Sequence, residues 1–268
     1  MSDWDLSALP DGMFSLAGKT AVVVGGAGGL GRPTALSFAD FGADVVVTSR
    51  NLEDCQAVAD EIEELGRRSM AISTDVTDED DVAAMVEDVV SEFGGIDVVV
   101  NYAGINVPKP AEEYPLEDWN TVMGVKATGT FLVAREVGKA MIDAGNGGSI
   151  INVSSVRGAF ALPRNYLAYC ASNGAIDMIT KQLACEWGRF GINVNAIAPT
   201  VIETELTEHL VADEDFAEQL RRGIPLGRWG QPEDLVGALV WLASDASQFI
   251  TGQIVYVDGG TTTFDSID

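Results

Sequence analysis

Thr20-Ala-Val-Val-Val24-Gly25-Gly-Ala-Gly-Gly-Leu-Gly31 decides the fold. A β-branched run of this kind favours a strand. It passes without a linker into glycines spaced Gly25-x-x-x-Gly29-x-Gly31, and a helical stretch follows. Glycine lets the backbone turn sharply and come close to a pyrophosphate, which the exposed N–H groups of the helix start then stabilise. Alone, a glycine-rich turn is also compatible with a plain structural bend. At the first strand-to-helix junction of an alternating chain it reads as a dinucleotide site, with Gly25, Gly29, Leu30 and Gly31 around the phosphates.

The alternation continues along nearly the whole chain. Asp44-Val-Val-Val-Thr48, Ser69-Met-Ala-Ile-Ser73, Ile96-Asp-Val-Val-Val100 and Ser149-Ile-Ile-Asn-Val153 read as strands. Gly191-Ile-Asn-Val-Asn-Ala-Ile197 and Gln253-Ile-Val-Tyr-Val257 complete a set of seven. Helix-length stretches at 52–65, 78–93, 119–144 and 167–189 lie between them. Strand and helix in turn predict a parallel sheet covered on both faces. The expected fold is α/β, a single doubly wound Rossmann-type domain with a seven-stranded parallel sheet, spanning 1–268. Residues 1–13 read as an N-terminal extension, 200–225 as a substrate flap with an acidic helical part at 203–215, and 261–268 as a tail.

At 268 residues, with 47% apolar side chains, the chain has enough apolar surface for one core without disulfides or metals. Three separated cysteines, Cys55, Cys170 and Cys185, suit reduced thiols. The opening Met1-Ser-Asp-Trp-Asp-Leu-Ser7 lacks the basic and apolar character of a secretory signal, and no apolar stretch is of membrane-spanning length. A cytoplasmic protein is expected. Acids outnumber bases 41 to 16 and only five bases are lysines. Such a surface argues against nucleic acid and membrane partners. It suits either plain solubility or a high-salt cytoplasm, where dense ions screen self-repulsion. The single histidine, His209, lies in the acidic flap, and the sequence offers no metal-ligand cluster.

Several motifs, in order and over residues 14–260, resemble the short-chain dehydrogenase/reductase family. They are the glycine turn, Asn101-Tyr102-Ala103-Gly104, Met123-Gly-Val-Lys126-Ala-Thr-Gly129, Ser154-Ser155, Tyr169-Cys-Ala-Ser-Asn173 and Pro199-Thr200-Val-Ile202-Glu-Thr204. The resemblance implies hydride exchange between a nicotinamide nucleotide and an alcohol or ketone. Tyr169 would be the general acid/base and Ser155 the group that orients the substrate oxygen, with Ser154 as the alternative. It further implies that Asp75 and Val76 border the adenine, and that Asn101, Ala103, Gly104, Pro199, Ile202 and Thr204 border the rest of the nucleotide. A homotetramer built on the two long helices and the last strand is also implied.

Departures from the pattern carry most of the interest. The family's lysine four residues after the tyrosine is Asn173, and its upstream asparagine is Lys126, so the two residue types have exchanged positions. Asn173 cannot acidify a phenol, whose reference pKa is about 10. Lys126, coming from the adjacent helix, is expected to place its ammonium in nearly the same volume. The competing reading is a surface lysine and a site without redox chemistry. Val24 and Tyr102 replace the usual Thr and second Asn, Thr200 replaces a Gly, and the Ser155-to-Tyr169 distance is one residue longer than usual.

Ser49 and Arg50 follow the second strand where an acid would select NAD. A small donor beside a guanidinium favours NADP(H) over NAD(H). The C-terminal stretch Arg228-Trp-Gly-Gln-Pro-Glu-Asp resembles the branch acting on sugar acids of the gluconate kind. Arg157 and Arg164 are candidates for a substrate carboxylate, or equally surface charges. A 3-oxoacyl-type ketoreductase is the alternative substrate class, although its acidic carrier protein would be repelled. A nucleotide-binding sensor, or proton-transfer and lyase chemistry, is the alternative outside redox.

Overall fold

The computed structural model describes residues 12–204, 207 and 214–263. Valine and isoleucine dominate its strands: β1 (Thr20–Val24), β2 (Asp44–Ser49), β3 (Ser69–Ser73), β4 (Val98–Asn101), β5 (Gly148–Val153), β6 (Ile192–Pro199) and β7 (Ile254–Val257). All pair in parallel, in the order β3-β2-β1-β4-β5-β6-β7. The doubly wound seven-stranded sheet expected from the sequence is the sheet observed.

Eight helices join the strands among the described residues. They are α1 (Gly31–Asp40), α2 (Leu52–Glu64), α3 (Glu79–Phe93), α4 (Leu116–Met123), α5 (Gly129–Ala144), α6 (Leu167–Trp187), α7 (Glu214–Arg222) and α8 (Glu233–Ala243). Period-two alternation divides the strand side chains between two cores. Val23, Val45, Val47 and Val100 pack with Phe38 of α1, Ile62 of α2 and Leu239 of α8. Val22, Val46, Val99 and Ile150 pack with Met85 of α3 and Val137 and Met141 of α5. Buried on both faces, β1, β2 and β4 read as near-continuous apolar runs, whereas the edge strands β3 and β7 are only half-buried.

Local chemistry sets the helix ends. Asn51 caps α2 by accepting the Glu53 N–H at 3.1 Å, and Asp78 caps α3 by accepting the Asp80 N–H at 2.9 Å. Gly94 and Gly145 end α3 and α5 in the left-handed region. The single helix expected over 119–144 is instead α4 and α5 joined by one π-helical turn, Gly124–Thr128, and it starts three residues earlier. Apolar periodicity does not register such an inserted residue, and π-turns recur at functional sites. Lys126 sits on this one.

The chain runs outward from β1 to β3, then returns to the other side of β1 as β4. That reversal opens a crevice beyond the C-terminal ends of β1 and β4, where doubly wound sheets take their ligands. Of the expected flap, α7 is described, whereas residues 205, 206 and 208–213, His209 among them, lie outside the described residues. The same holds for residues 1–11 of the extension and 264–268 of the tail. Among the described residues no helix is long and apolar enough to cross a membrane.

Candidate functional site

The glycine turn at the mouth of the crevice is tightly wound. A Cβ on Gly31 would lie 2.1 Å from Gly25 O, so no side chain fits there. A Cβ on Gly29 would lie 3.1 Å from Thr204 Cβ, which brings the segment after β6 over the turn. Helix α1 follows Leu30, which gives no side-chain cap, and has no acid in its first turn, in contrast to α2 and α3. Arg32 N–H is taken by Gly28 O at 2.9 Å and Pro33 has none, so the N–H groups of Leu30 and Gly31 are the ones at the helix start that remain for an anion. These residues fit a dinucleotide pyrophosphate.

At the end of β2 the Ser49 hydroxyl lies 3.0 Å from Cys55 Sγ and donates to Asn51 O at 3.3 Å. Arg50 is exposed beside it, and its charge acts on Asp75. Asp75 accepts from the Thr77 N–H at 2.9 Å and from its hydroxyl at 2.7 Å, and these bonds hold its carboxyl below the usual range. Val76 is buried next to it. Asn101 accepts the Ala103 N–H at 3.0 Å. Asn101 Nδ2, Asn106 Oδ1 and Asn173 Oδ1 are buried without a protein partner. Buried polar groups rarely stay unpaired, so such atoms mark places for water or ligand.

Ser155 and Tyr169 face each other across the next strand end. Ser155 Oγ accepts the Arg157 N–H at 3.2 Å and donates to Pro199 O at 3.4 Å. Burial pushes the Tyr169 phenol up, and the nearby Ser155 and Asn173 side chains oppose that rise. Ser154 is directed elsewhere: its hydroxyl donates to Asn173 O at 3.4 Å and acts on the nearby, half-buried Asp177. The carboxyl of Asp177, eight residues past Tyr169 on α6, is raised by burial. Sequence reading did not single it out, because an acid on a helix gives no signal of its own.

Lys126 is only 4% exposed. Its Nζ lies 5.0 Å from the centre of the Tyr169 ring and 3.1 Å from where a Cβ on Gly104 would stand. Desolvation pushes the amine down to about 8. Asn173 is fully buried and spends its amide N–H on Tyr169 O at 2.8 Å, one turn back in its own helix.

Ile202 forms a single parallel bridge with Gly230, and Thr204 N–H donates to Thr207 Oγ1 at 2.9 Å. No residue other than glycine has positive φ among the described residues, so Thr200 occupies its glycine-like position without strain. Arg157 is half-buried, with Tyr166, Tyr169 and Cys170 around its guanidinium and one long bond, 3.5 Å, to Phe160 O. Arg164 is exposed on the following loop.

The family model described as Enoyl-(Acyl carrier protein) reductase matches residues 25–262. Gluconate 5-dehydrogenase of Gluconobacter oxydans is 41% identical over 94% of this chain and 98% of that protein. D-threitol dehydrogenase of Mycolicibacterium smegmatis is 40% identical over 93% and 95%. A crystal structure of a gluconate 5-dehydrogenase from Burkholderia cenocepacia, in complex with NADP and tartrate, superimposes with a TM-score of 0.91 at 37% identity, covering 94% of this chain and 98% of that one. Identity at this level along nearly the full length of each chain reflects common descent as well as a common fold, and the chain belongs to the short-chain dehydrogenase/reductase family.

Proposed function

We propose that this protein is an NADP(H)-dependent oxidoreductase that interconverts a secondary alcohol and a ketone on a sugar acid or polyol. The observation that carries the reading is the ammonium of Lys126 beside the Tyr169 ring, where Asn173 supplies no charge. When bound, the nicotinamide supplies or accepts the hydride. The chain's own residues manage the proton. Ser155 hydrogen-bonds the substrate oxygen, and in the oxidation direction the Tyr169 phenolate accepts the hydroxyl proton. The Lys126 ammonium favours that phenolate over the neutral phenol. Asn173 ties the tyrosine's own peptide and leaves one acceptor for water or ribose.

NADP is the favoured coenzyme because β2 ends in Ser49 and Arg50, without the acid that would repel a 2′-phosphate. The NADP held by the Burkholderia relative supports the same choice. A carboxylated substrate is favoured by Arg157, a half-buried guanidinium with no acid partner among the described residues, in a chain of 41 acids. Arg164 is left as a surface charge. A homotetramer is supported by apolar side chains exposed on α5, α6 and β7, namely Phe131, Met178 and Tyr256.

Nicotinamide absorbance in molar KCl, with NADP and NAD against sugar acids, polyols and simple secondary alcohols, tests the reading. Turnover with NADP and a sugar acid or polyol is expected. A protein that binds the nucleotide but turns over nothing in the panel would point to a sensor or a proton-transfer enzyme instead.

A further inference from the structure

Tyr102 joins three segments of the nucleotide end. Its N–H donates to Val24 O, the last residue of β1, at 2.9 Å. Its Cβ lies 3.1 Å from where a side chain on Gly25 would begin, so the tyrosine packs directly against the start of the turn. Its hydroxyl lies 2.7 Å from Thr34 Oγ1 on α1. The Thr34 hydroxyl in turn lies 2.9 Å from Leu30 O, to which it donates.

A threonine hydroxyl has one proton. Since Thr34 gives it to Leu30 O, the phenol must be the donor between the two side chains. The series therefore runs from Tyr102 O–H to Thr34 Oγ1 and from Thr34 O–H to Leu30 O. Thr34 is buried and Tyr102 half-buried, and burial pushes ionisation of the Tyr102 phenol far up, which keeps its proton in place. The series links the end of β4 to the residue that precedes the first helical N–H groups of α1.

We propose that Tyr102 is a positioning residue of the nucleotide site, which through Thr34 fixes Leu30 and the start of α1 against β4 and so shapes the turn before a nucleotide arrives. A glycine-rich turn has much conformational freedom to lose. A brace that removes this freedom in advance lowers the cost of binding. The tyrosine touches no reacting atom, so its influence falls on nucleotide affinity and not on the chemical step. The inference rests on the nucleotide-binding reading above.

The test is the dissociation constant for NADP, measured by calorimetric titration, together with steady-state kinetics and apo melting temperatures. Tyr102→Phe leaves Thr34 bonded to Leu30 O and removes only the outer bond. It is expected to weaken NADP binding about fivefold, with kcat at saturating NADP within about twofold of the original. Thr34→Val is expected to do at least the same, Thr34→Ser to retain affinity, and Tyr102→Phe with Thr34→Val to be no weaker than Thr34→Val alone. Ile192→Val, a core change remote from the turn, controls for general destabilisation and is expected to lower the melting temperature without altering affinity. Unchanged affinity in Tyr102→Phe, or an equal loss in Ile192→Val, overturns the proposal. A wild-type chain that binds neither NADP nor NAD overturns the nucleotide reading itself.

Discussion

Lys126 Nζ lies 5.0 Å from the centre of the Tyr169 ring, reaching it from a π-helical turn and not from the tyrosine's own helix. Across a neutral ring an ammonium makes a cation–π contact, and beside a phenolate it makes an ion pair. The contact therefore strengthens as the phenol loses its proton, which is the direction needed for a base. Lys126→Asn is expected to lower kcat by about 10²- to 10⁴-fold, the usual range for losing support of a general acid/base. Adding Asn173→Lys to that variant returns a cation to the same volume and is expected to recover most of the loss. Wild-type turnover and an unchanged pH–rate profile in Lys126→Asn would rule out the relocated cation.

The same lysine makes stability depend on pH. Its amine is pushed down to about 8 in the folded chain from an ordinary value of 10.5. Below about pH 8 both folded and unfolded chains carry the proton, and the folded chain bears the full cost of burying the charge. Between about 8 and 10.5 the unfolded chain still holds the proton that the folded chain has released, so the lysine's contribution to stability rises with pH. Removing the amine as Lys126→Met is expected to stabilise the apo protein at pH 7 by about 3 kcal/mol at most, with the gain vanishing by about pH 10.5. Denaturant unfolding of both proteins across pH 7 to 10, a window that stays at or below the ordinary ionisation of a tyrosine phenol, checks this. A constant difference would show that Lys126 keeps its ordinary ionisation.

Much of this was legible in the residues. Branched runs and the glycine turn specify the sheet because a parallel strand buried on both faces has to be continuously apolar. That Lys126 and Asn173 stand at each other's expected positions is a reading open only to comparison with a family pattern. Whether the ammonium reaches the phenol depends on the π-turn, which shifts helix phase by one residue and leaves no periodic trace. Tyr102 was visible as a replacement, but its bond to Thr34 joins positions 68 residues apart that share no motif. Ser154 and Ser155 were adjacent alternatives until the turn after β5 placed one beside Asp177 and the other beside Tyr169.

The proposed preference for NADP rests on the end of β2. Ser49→Asp with Arg50→Leu places an acid where the ribose hydroxyls would bind and removes the nearest cation. The preference for NADP over NAD is expected to fall by about 10- to 100-fold, the worth of one or two charge-assisted hydrogen bonds. Paired kcat/KM values for the two coenzymes report the change. A ratio that does not move would place the 2′-phosphate on other residues.

The proposed role of Arg157 is to distinguish a carboxylated substrate from a neutral one. Arg157→Gln keeps a polar side chain but loses the bidentate charge. KM for a gluconate-type acid is expected to rise about tenfold or more, while KM for a four-carbon polyol stays within about twofold. An equal rise for both would assign Arg157 to the shape of the loop around Ser155 and not to the substrate.

The net charge of −25 predicts dependence on salt. Most of the carboxylates on α2 and on the first turn of α3 are exposed: Glu53, Asp54, Asp60, Glu63 and Glu64, then Glu79, Asp80 and Asp81. The described ion pairs, such as Arg32 with Glu61 and Arg68 with Glu92, engage only a few of the chain's acids. Their mutual repulsion opposes the compact state, and raising salt from about 0.01 M to 1 M shortens the screening length from about 30 Å to 3 Å. If repulsion costs about 2–3 kcal/mol at low salt, the melting temperature rises by about 5–10 °C in molar KCl. Glycerol, which leaves charge unscreened, separates this from general solute effects. A melting temperature that is flat in KCl, or that rises equally in glycerol, would mean the acids serve solubility alone.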